Sequence, residues 1–159
     1  MRRTATITMI LLAGTLAFAQ QKKVKSKAEG EAVNAMLQAQ DPDGRIKAAD
    51  ALITKFADTE FKSYALYLEA DAWSQKNDTD KTIVFGEQAV DADPSNYQAS
   101  VLVAKTYAST THANDLDKAE KVGKIEKFAN TALKQLESAA KPNPNISDAD
   151  WTQIKNDLT

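Results

Sequence analysis

The sequence predicts an all-α protein, and three of its features support this prediction. Glycine and proline are scarce, with 5 and 4 among 159 residues. No stretch alternates apolar with polar residues, as a half-buried β-strand would. Clusters of turn-forming residues separate segments of helical length, and they lie at 41–44, 77–80, 93–96, 110–115 and 141–145.

These breaks predict seven helices joined by short polar links. Their expected ranges are 27–40, 44–57, 60–76, 79–92, 96–109, 115–139 and 148–158. The sixth segment fits either one long helix or two helices broken near Gly123. Links this short predict that consecutive helices are antiparallel neighbours.

The last predicted helix has a good start and an apolar stripe. Ser147 can cap its free amides, and Asp150 lies in a first turn that favours negative charge. Trp151, Ile154 and Leu158 fall on one face. This face must bury itself either on the preceding helix or within a longer array of which the chain is a part.

The amino terminus, residues 1–19, has the pattern of a secretory signal peptide. Arg2 and Arg3 precede an apolar run over 7–18, which ends in the small-x-small sequence Ala17-Phe18-Ala19 before Gln20. The run is short for a permanent membrane span. We therefore expect a periplasmic or secreted protein, cleaved after Ala19 and without a stable membrane span.

Composition excludes several classes of function. The chain has no cysteine, which rules out disulfides, thiolate metal sites and a cysteine nucleophile. Without Arg2 and Arg3 it carries 18 basic and 22 acidic side chains, a net charge of −4, which argues against nucleic acid as the partner. The one basic cluster is a leader over 20–27, and a solvated segment is its simplest reading. It contains Lys22, Lys23, Lys25 and Lys27.

The sequence repeats weakly at a spacing of 34 residues. This offset places Leu66 on Ser100, Ala70 on Ala104 and Trp73 on Tyr107. Paired helices at such a period are typical of a solenoid in which each pair buries its apolar surface on its neighbours. The segment 60–76 supports this, because it carries apolar residues on two faces and is therefore expected to be sandwiched.

The unit from Ser63 to Asn96, which ends in Ala89-Val90-Asp91-Ala92-Asp93-Pro94, resembles one unit of the tetratricopeptide repeat family. The resemblance implies a right-handed solenoid of about three antiparallel helix pairs over 28–140. A Pro/Asn-rich loop and a C-terminal helix follow over 141–159. The residues expected to pack the repeats are Leu66, Ala70, Trp73, Ile83, Ala89, Pro94, Ala104 and Tyr107.

The unit departs from the family pattern at two positions of its second helix. Thr82 stands where the family usually has alanine, and Gly86 where it usually has an aromatic residue. A glycine inside a helix costs about 1 kcal/mol relative to alanine. Gly86 therefore indicates either a very close neighbour or a loosened unit.

The parts needed for catalysis and cofactor binding are missing from the sequence. The single histidine, His112, lies in a polar connection and is expected to be exposed. No Gly-x-Ser-x-Gly elbow or glycine-rich phosphate loop is present. The acidic pairs at 41–43 and 78–80 lack calcium-loop spacing and serve better as helix caps. We expect no enzyme activity, no cofactor and no metal.

In the resembled family the first helix of each pair lines a concave groove, so the resemblance implies a partner-binding surface here. Tyr64 and Tyr67 are its strongest candidates, because tyrosine is enriched at interface hot spots, although packing between repeats would explain them equally well. If Tyr67 contacts the partner, Tyr67→Ala weakens binding and leaves stability unchanged. The full candidate surface comprises Tyr64, Tyr67, Asp71, Gln75, Gln98, Val101 and Lys105.

These features favour an exported scaffold or adaptor that binds a protein or peptide. Two alternatives stay open: a structural protein that associates with its own copies through 147–159, and a fragment of a longer repeat protein or of an enzyme with its catalytic domain elsewhere. Light scattering with and without the last helix separates the adaptor from the self-associating protein.

Overall fold

The computed structural model describes residues 22–139, 141 and 145–158. Within these ranges all regular secondary structure is helical, which confirms the all-α prediction. The predicted signal peptide, 1–19, lies outside the described residues, as does most of the Pro/Asn-rich loop. None of the helices in the described ranges has both the length and the apolar character that crossing a bilayer requires.

Seven helices occupy the described part of the chain, and their bounds lie within three residues of the predicted ones. They are α1 (Lys27–Gln38), α2 (Pro42–Lys55), α3 (Lys62–Gln75), α4 (Thr79–Ala92), α5 (Tyr97–Thr110), α6 (Lys118–Ser138) and α7 (Asp148–Leu158). Capping residues set several of these bounds. Asp41 caps α2 by accepting from Gly44 N at 2.7 Å, and Pro42 occupies the first turn, so α2 begins two residues before the predicted start.

Alternate helices are evenly spaced along the chain. The helices α1, α3 and α5 begin at residues 27, 62 and 97, a constant interval of 35 residues. Each helix from α1 to α4 packs against the next one, and α3 also touches α5. The architecture of this compact unit, residues 24–137, is therefore repeat-like.

Helix α3 is the centre of the packing. Phe61, Ala65 and Ala72 are buried on one of its faces, and Leu66 and Ala70 on another. Its neighbours are α2, α4 and α5. The predicted sandwiching of this helix is confirmed.

The turn between α3 and α4 is a compact C-cap. Asn77 has φ 59°, a left-handed conformation that asparagine tolerates better than most residues. The amide of Asn77 donates to Ser74 O at 3.0 Å, and that of Asp78 donates to Trp73 O at 3.0 Å, the two bonds of a Schellman motif. Asp78 then caps α4 by accepting from Lys81 N.

Buried polar side chains connect the start of α3 to the start of α5. Asn96 is 1% exposed, caps α5 by accepting from Ala99 N and donates to Ser63 Oγ at 2.9 Å. Ser63 Oγ in turn donates to Ala89 O at the end of α4, at 2.7 Å. These contacts join α3, α4 and α5 at one point; we call them the Ser63 junction.

A similar contact ties α1 to the link before α3. Thr59 Oγ1 donates to the buried carboxylate of Glu29 at 2.6 Å, and the amide of Lys25 donates to the same carboxylate. The bond from Thr59, and then that from the Lys25 amide, hold the pKa of Glu29 below its usual range. Buried polar side chains therefore connect α1 to the link before α3, and α3 to the start of α5.

The segment 115–139, for which the sequence left one or two helices open, contains a single helix, α6. Phe128, Ala132 and Leu136 are its buried face, while Val122 and Leu133 are exposed. Lys124 of α6 pairs with Glu87 of α4 at 2.9 Å, and Tyr107 of α5 donates to the same carboxylate.

The helix α7 belongs to a separate compact unit of the chain. Ser147 caps it as predicted, by accepting from Asp150 N at 3.0 Å. Trp151 is 6% exposed within the single chain. The apolar stripe of α7 is therefore not an open face at its tryptophan.

Gly86 marks a very close approach between helices. A Cβ built on Gly86 of α4 would lie 2.5 Å from Val103 Cγ2 of α5 and 3.9 Å from Ala70 Cβ of α3. Of the two explanations given for this glycine, the very close neighbour is the one the structure supports. Gly123 of α6 is the opposite case, since a Cβ there meets nothing within 4 Å.

We predict that Gly86→Ala destabilises the fold, by about 1 to 3 kcal/mol, although alanine is the better helix former. Val103 is β-branched and fully buried, so it has little freedom to move aside. Urea unfolding measures this change.

Gly123→Ala is the matched control and should stabilise α6 by about 0.5 to 1 kcal/mol, because only helix propensity changes there. Equal effects of the two substitutions would contradict the close approach.

Candidate binding surface

The predicted surface lies on α3 and α5, two helices that touch each other. Gln75 and Lys105 are exposed, and Asp71 and Val101 are half-buried. These four side chains, together with part of Tyr67, are the predicted residues that a partner could reach.

Asp71 is held in place by two neighbours. Arg45 Nη1 of α2 lies 3.3 Å from Asp71 Oδ2, and Gln75 Nε2 donates to the same oxygen at 2.7 Å. Arg45 also donates to the carbonyl of Ala39 at 3.2 Å. The guanidinium thereby links the end of α1, the start of α2 and the predicted surface of α3.

Arg45 is the residue that the sequence reading of this surface missed. It is the only arginine after Arg3. Arginine is the preferred cation for partly buried ion pairs, and the Arg45 side chain is 19% exposed. Its isolation in a lysine-rich chain was the available signal.

The expectation that Tyr64 lines an open groove is corrected, because its side chain is fully buried. Its ring centroid lies 6.2 Å from that of Tyr67, and the two planes are tilted by 32°. Gln98 is also buried, at 8% exposed, and its Oε1 has no hydrogen-bond partner among the described residues. Both side chains belong to the packing between helices rather than to the accessible surface.

Tyr67 is half-buried and lies against the main apolar cluster. Burial raises its pKa well above the usual value for tyrosine, and the negative charge of Asp71 adds to this. Burial also raises the pKa of Tyr97, at the start of α5. The cluster comprises Leu66, Ala89, Val90, Ala99, Val103, Ala104 and Phe128.

The residues predicted to pack the repeats fall into three groups. Leu66, Ala70, Ala89 and Ala104 are buried. Trp73, Ile83 and Tyr107 are half-buried. Pro94 is exposed in the link between α4 and α5, so it acts on the turn and does not pack.

Trp73 lies between cations. Lys81 Nζ of α4 stands 3.7 Å from the ring centroid, and Lys76 Nζ stands 5.2 Å from it. The indole Nε1 is 3.4 Å from Glu69 Oε1. Lysine over an indole face stabilises the contact by about 0.5 to 1 kcal/mol when exposed.

His112 is exposed in the link before α6, as predicted. Its backbone amide donates to Asp115 Oδ2 at 3.0 Å, and Lys121 Nζ lies 3.0 Å from the same oxygen. The backbone bond, followed by the bond from Lys121, lowers the pKa of Asp115. Across the described ranges, no three His, Asp or Glu side chains form a group that could hold a metal ion.

The burial of Tyr67 changes what its substitution is expected to do. We predict that Tyr67→Ala lowers the free energy of unfolding by about 2 kcal/mol, since the ring leaves a cavity beside the apolar cluster. Thermal unfolding measures the loss. Gln75→Ala, at an exposed position of the same helix, should change stability by less than about 0.5 kcal/mol. An unchanged melting temperature for Tyr67→Ala would indicate that Tyr67 is an accessible contact residue and not a packing residue.

No protein-family model matches the chain. No curated protein and no solved structure matches it either. What the chain does must therefore be inferred from its own side chains. The predicted contact residues that a partner could reach on α3 and α5 are Asp71, Gln75, Val101, Lys105 and part of Tyr67.

Proposed function

We propose that the chain is an exported, non-enzymatic binding module of the tetratricopeptide type. It binds a protein or peptide on the face formed by α3 and α5. As part of this proposal, the helix pairs form a right-handed solenoid. The observation that carries it is the constant interval of 35 residues between the starts of α1, α3 and α5, one residue longer than the 34-residue spacing of the sequence repeat.

The packing supports the proposal, because alternate helices form one face only if they approach each other. Helix α3 touches α5 as well as its sequence neighbours. Gly86 allows this by bringing α4 close to α5 and α3. A face built from stacked helices is rigid, and a rigid face binds with a smaller entropy loss.

The charges on this face support a peptide ligand. Asp71 is already neutralised by Arg45. Lys105 is exposed and forms no ion pair with any described residue. A peptide with an acidic side chain opposite Lys105 would complement this surface.

Export rests on the sequence of residues 1–19, which lie outside the described residues. The lack of cysteine is compatible with any compartment and decides nothing about it. Self-association through 147–159 gains no support from α7, because Trp151 is buried within the single chain.

Selection of random linear peptides on the full chain tests the binding proposal. We expect peptides enriched in acidic residues, whose affinity falls about tenfold on Lys105→Glu, since the substitution replaces attraction by repulsion. Fluorescence anisotropy measures the affinities.

The matched control is Lys134→Glu, which reverses an exposed charge on α6 and should leave the same peptides bound. Failure to select any peptide would count against the proposed face. Peptides whose affinity falls equally on Lys105→Glu and Lys134→Glu would do so too.

Expression of the full chain in a bacterial host tests export. We expect the intact mass of the exported protein to correspond to an amino terminus at Gln20. Ala19→Tyr should retain the leader, because the residue before the cleavage point must be small. Recovery of uncleaved protein from the cytoplasm alone would refute the signal-peptide assignment.

A further inference from the structure

Glu69 of α3 is a buried acid without a full set of partners. Its side chain is 1% exposed. Oε1 is 3.4 Å from the indole Nε1 of Trp73, a weak hydrogen bond, and Oε2 has no hydrogen-bond partner among the described residues. A buried carboxylate in this situation is expected to be neutral, since an ionised one needs a cation or several donors.

The charges around Glu69 do not supply that cation. Asp50 of α2 acts on it with a charge of the same sign. On α4, Lys81 lies over the Trp73 ring and pairs with Asp78 at 3.4 Å. Helix α5 contains one charged residue, Lys105, which is exposed. Glu69 forms no ion pair with the basic residues of α2 and α4. The described charged residues of these two helices are Asp43, Arg45, Lys47, Asp50, Lys55, Asp80, Lys81, Glu87 and Asp91.

Burial and the neighbouring Asp50 raise the pKa of Glu69 to about 7. In the unfolded chain this carboxyl titrates near its ordinary value of 4.5. The folded state therefore binds the proton more tightly than the unfolded state does. The resulting stabilisation is fully present below pH 4.5 and is lost as the pH rises through 7.

We propose that protonation of Glu69 locks α2 onto α3, and that its ionisation loosens this interface. The loosened part is the pair α1 and α2, because the repelling charge, Asp50, belongs to α2. The approach of α4 to α5 at Gly86 is an apolar contact with Val103 and contains no titrating group.

Two other polar contacts tie α2 to α3. Arg45 pairs with Asp71, and Lys76 pairs with Asp43. Glu29, whose pKa is lowered, affects stability only at more acidic pH. The comparison of pH 5 with pH 8 therefore crosses the raised pKa of Glu69 and stays above the lowered pKa of Glu29.

Hydrogen exchange of the full chain at pH 5 and pH 8, corrected for the intrinsic exchange rate, tests the proposal. Between these pH values we expect the opening equilibrium of the α2 amides to rise roughly 70-fold, as linkage between an ordinary and a raised pKa requires. The amides at the α4 and α5 contact should rise less. Equal changes in α2 and α5, or no change in α2, would overturn the proposal.

Three variants make the test specific. Glu69→Gln removes the titrating group and should abolish the rise, while Glu126→Gln, at an exposed position of α6, should keep it. Asp50→Asn removes the repelling charge and should reduce the rise without abolishing it. If Glu69→Gln does not fold, the response of Asp50→Asn decides: a rise identical to that of the wild type would overturn the proposal.

Discussion

The close approach of α4 to α5 at Gly86 is the constraint on which the rest of the fold depends. A side chain at this position would collide with Val103, so the interhelical distance exists only because Cβ is absent. This approach lets α5 reach α3 as well, and α3 can then be covered on several sides by short apolar side chains. A chain without disulfides obtains its rigidity from such contacts.

Two buried carboxylates in the same unit show how differently one chain treats the same group. Glu29 accepts from the Thr59 hydroxyl and the Lys25 amide, and these bonds lower its pKa. Glu69 has one long bond from Trp73 and a like charge nearby, and its pKa is raised. For Glu29 the accepted hydrogen bonds outweigh the effect of burial, whereas for Glu69 burial is the largest cause of the shift and the single long bond from Trp73 does not offset it.

The helices could be predicted closely because their ends are set by local chemistry, such as the Asp41, Asp78 and Ser147 caps. The candidate surface could be predicted only in part. Tyr64 lies on a helix that is buried on more than one face, so helical periodicity does not reveal its orientation. Arg45 reaches Asp71 across 26 residues, and no local pattern encodes such a contact. The meaning of Gly86 required the position of Val103, because a glycine alone does not identify its neighbour.

The Ser63 junction also bears on errors in folding. The helix pairs of a repeat protein can dock one turn out of place, because each pair offers an apolar face to its neighbour. A misplaced α5 would separate Asn96 from Ser63 and leave buried donors and acceptors without partners, at a cost of about 1 to 3 kcal/mol for each group. Apolar packing favours stacking in general, whereas this polar contact selects one alignment and thereby discriminates against the misfolded one.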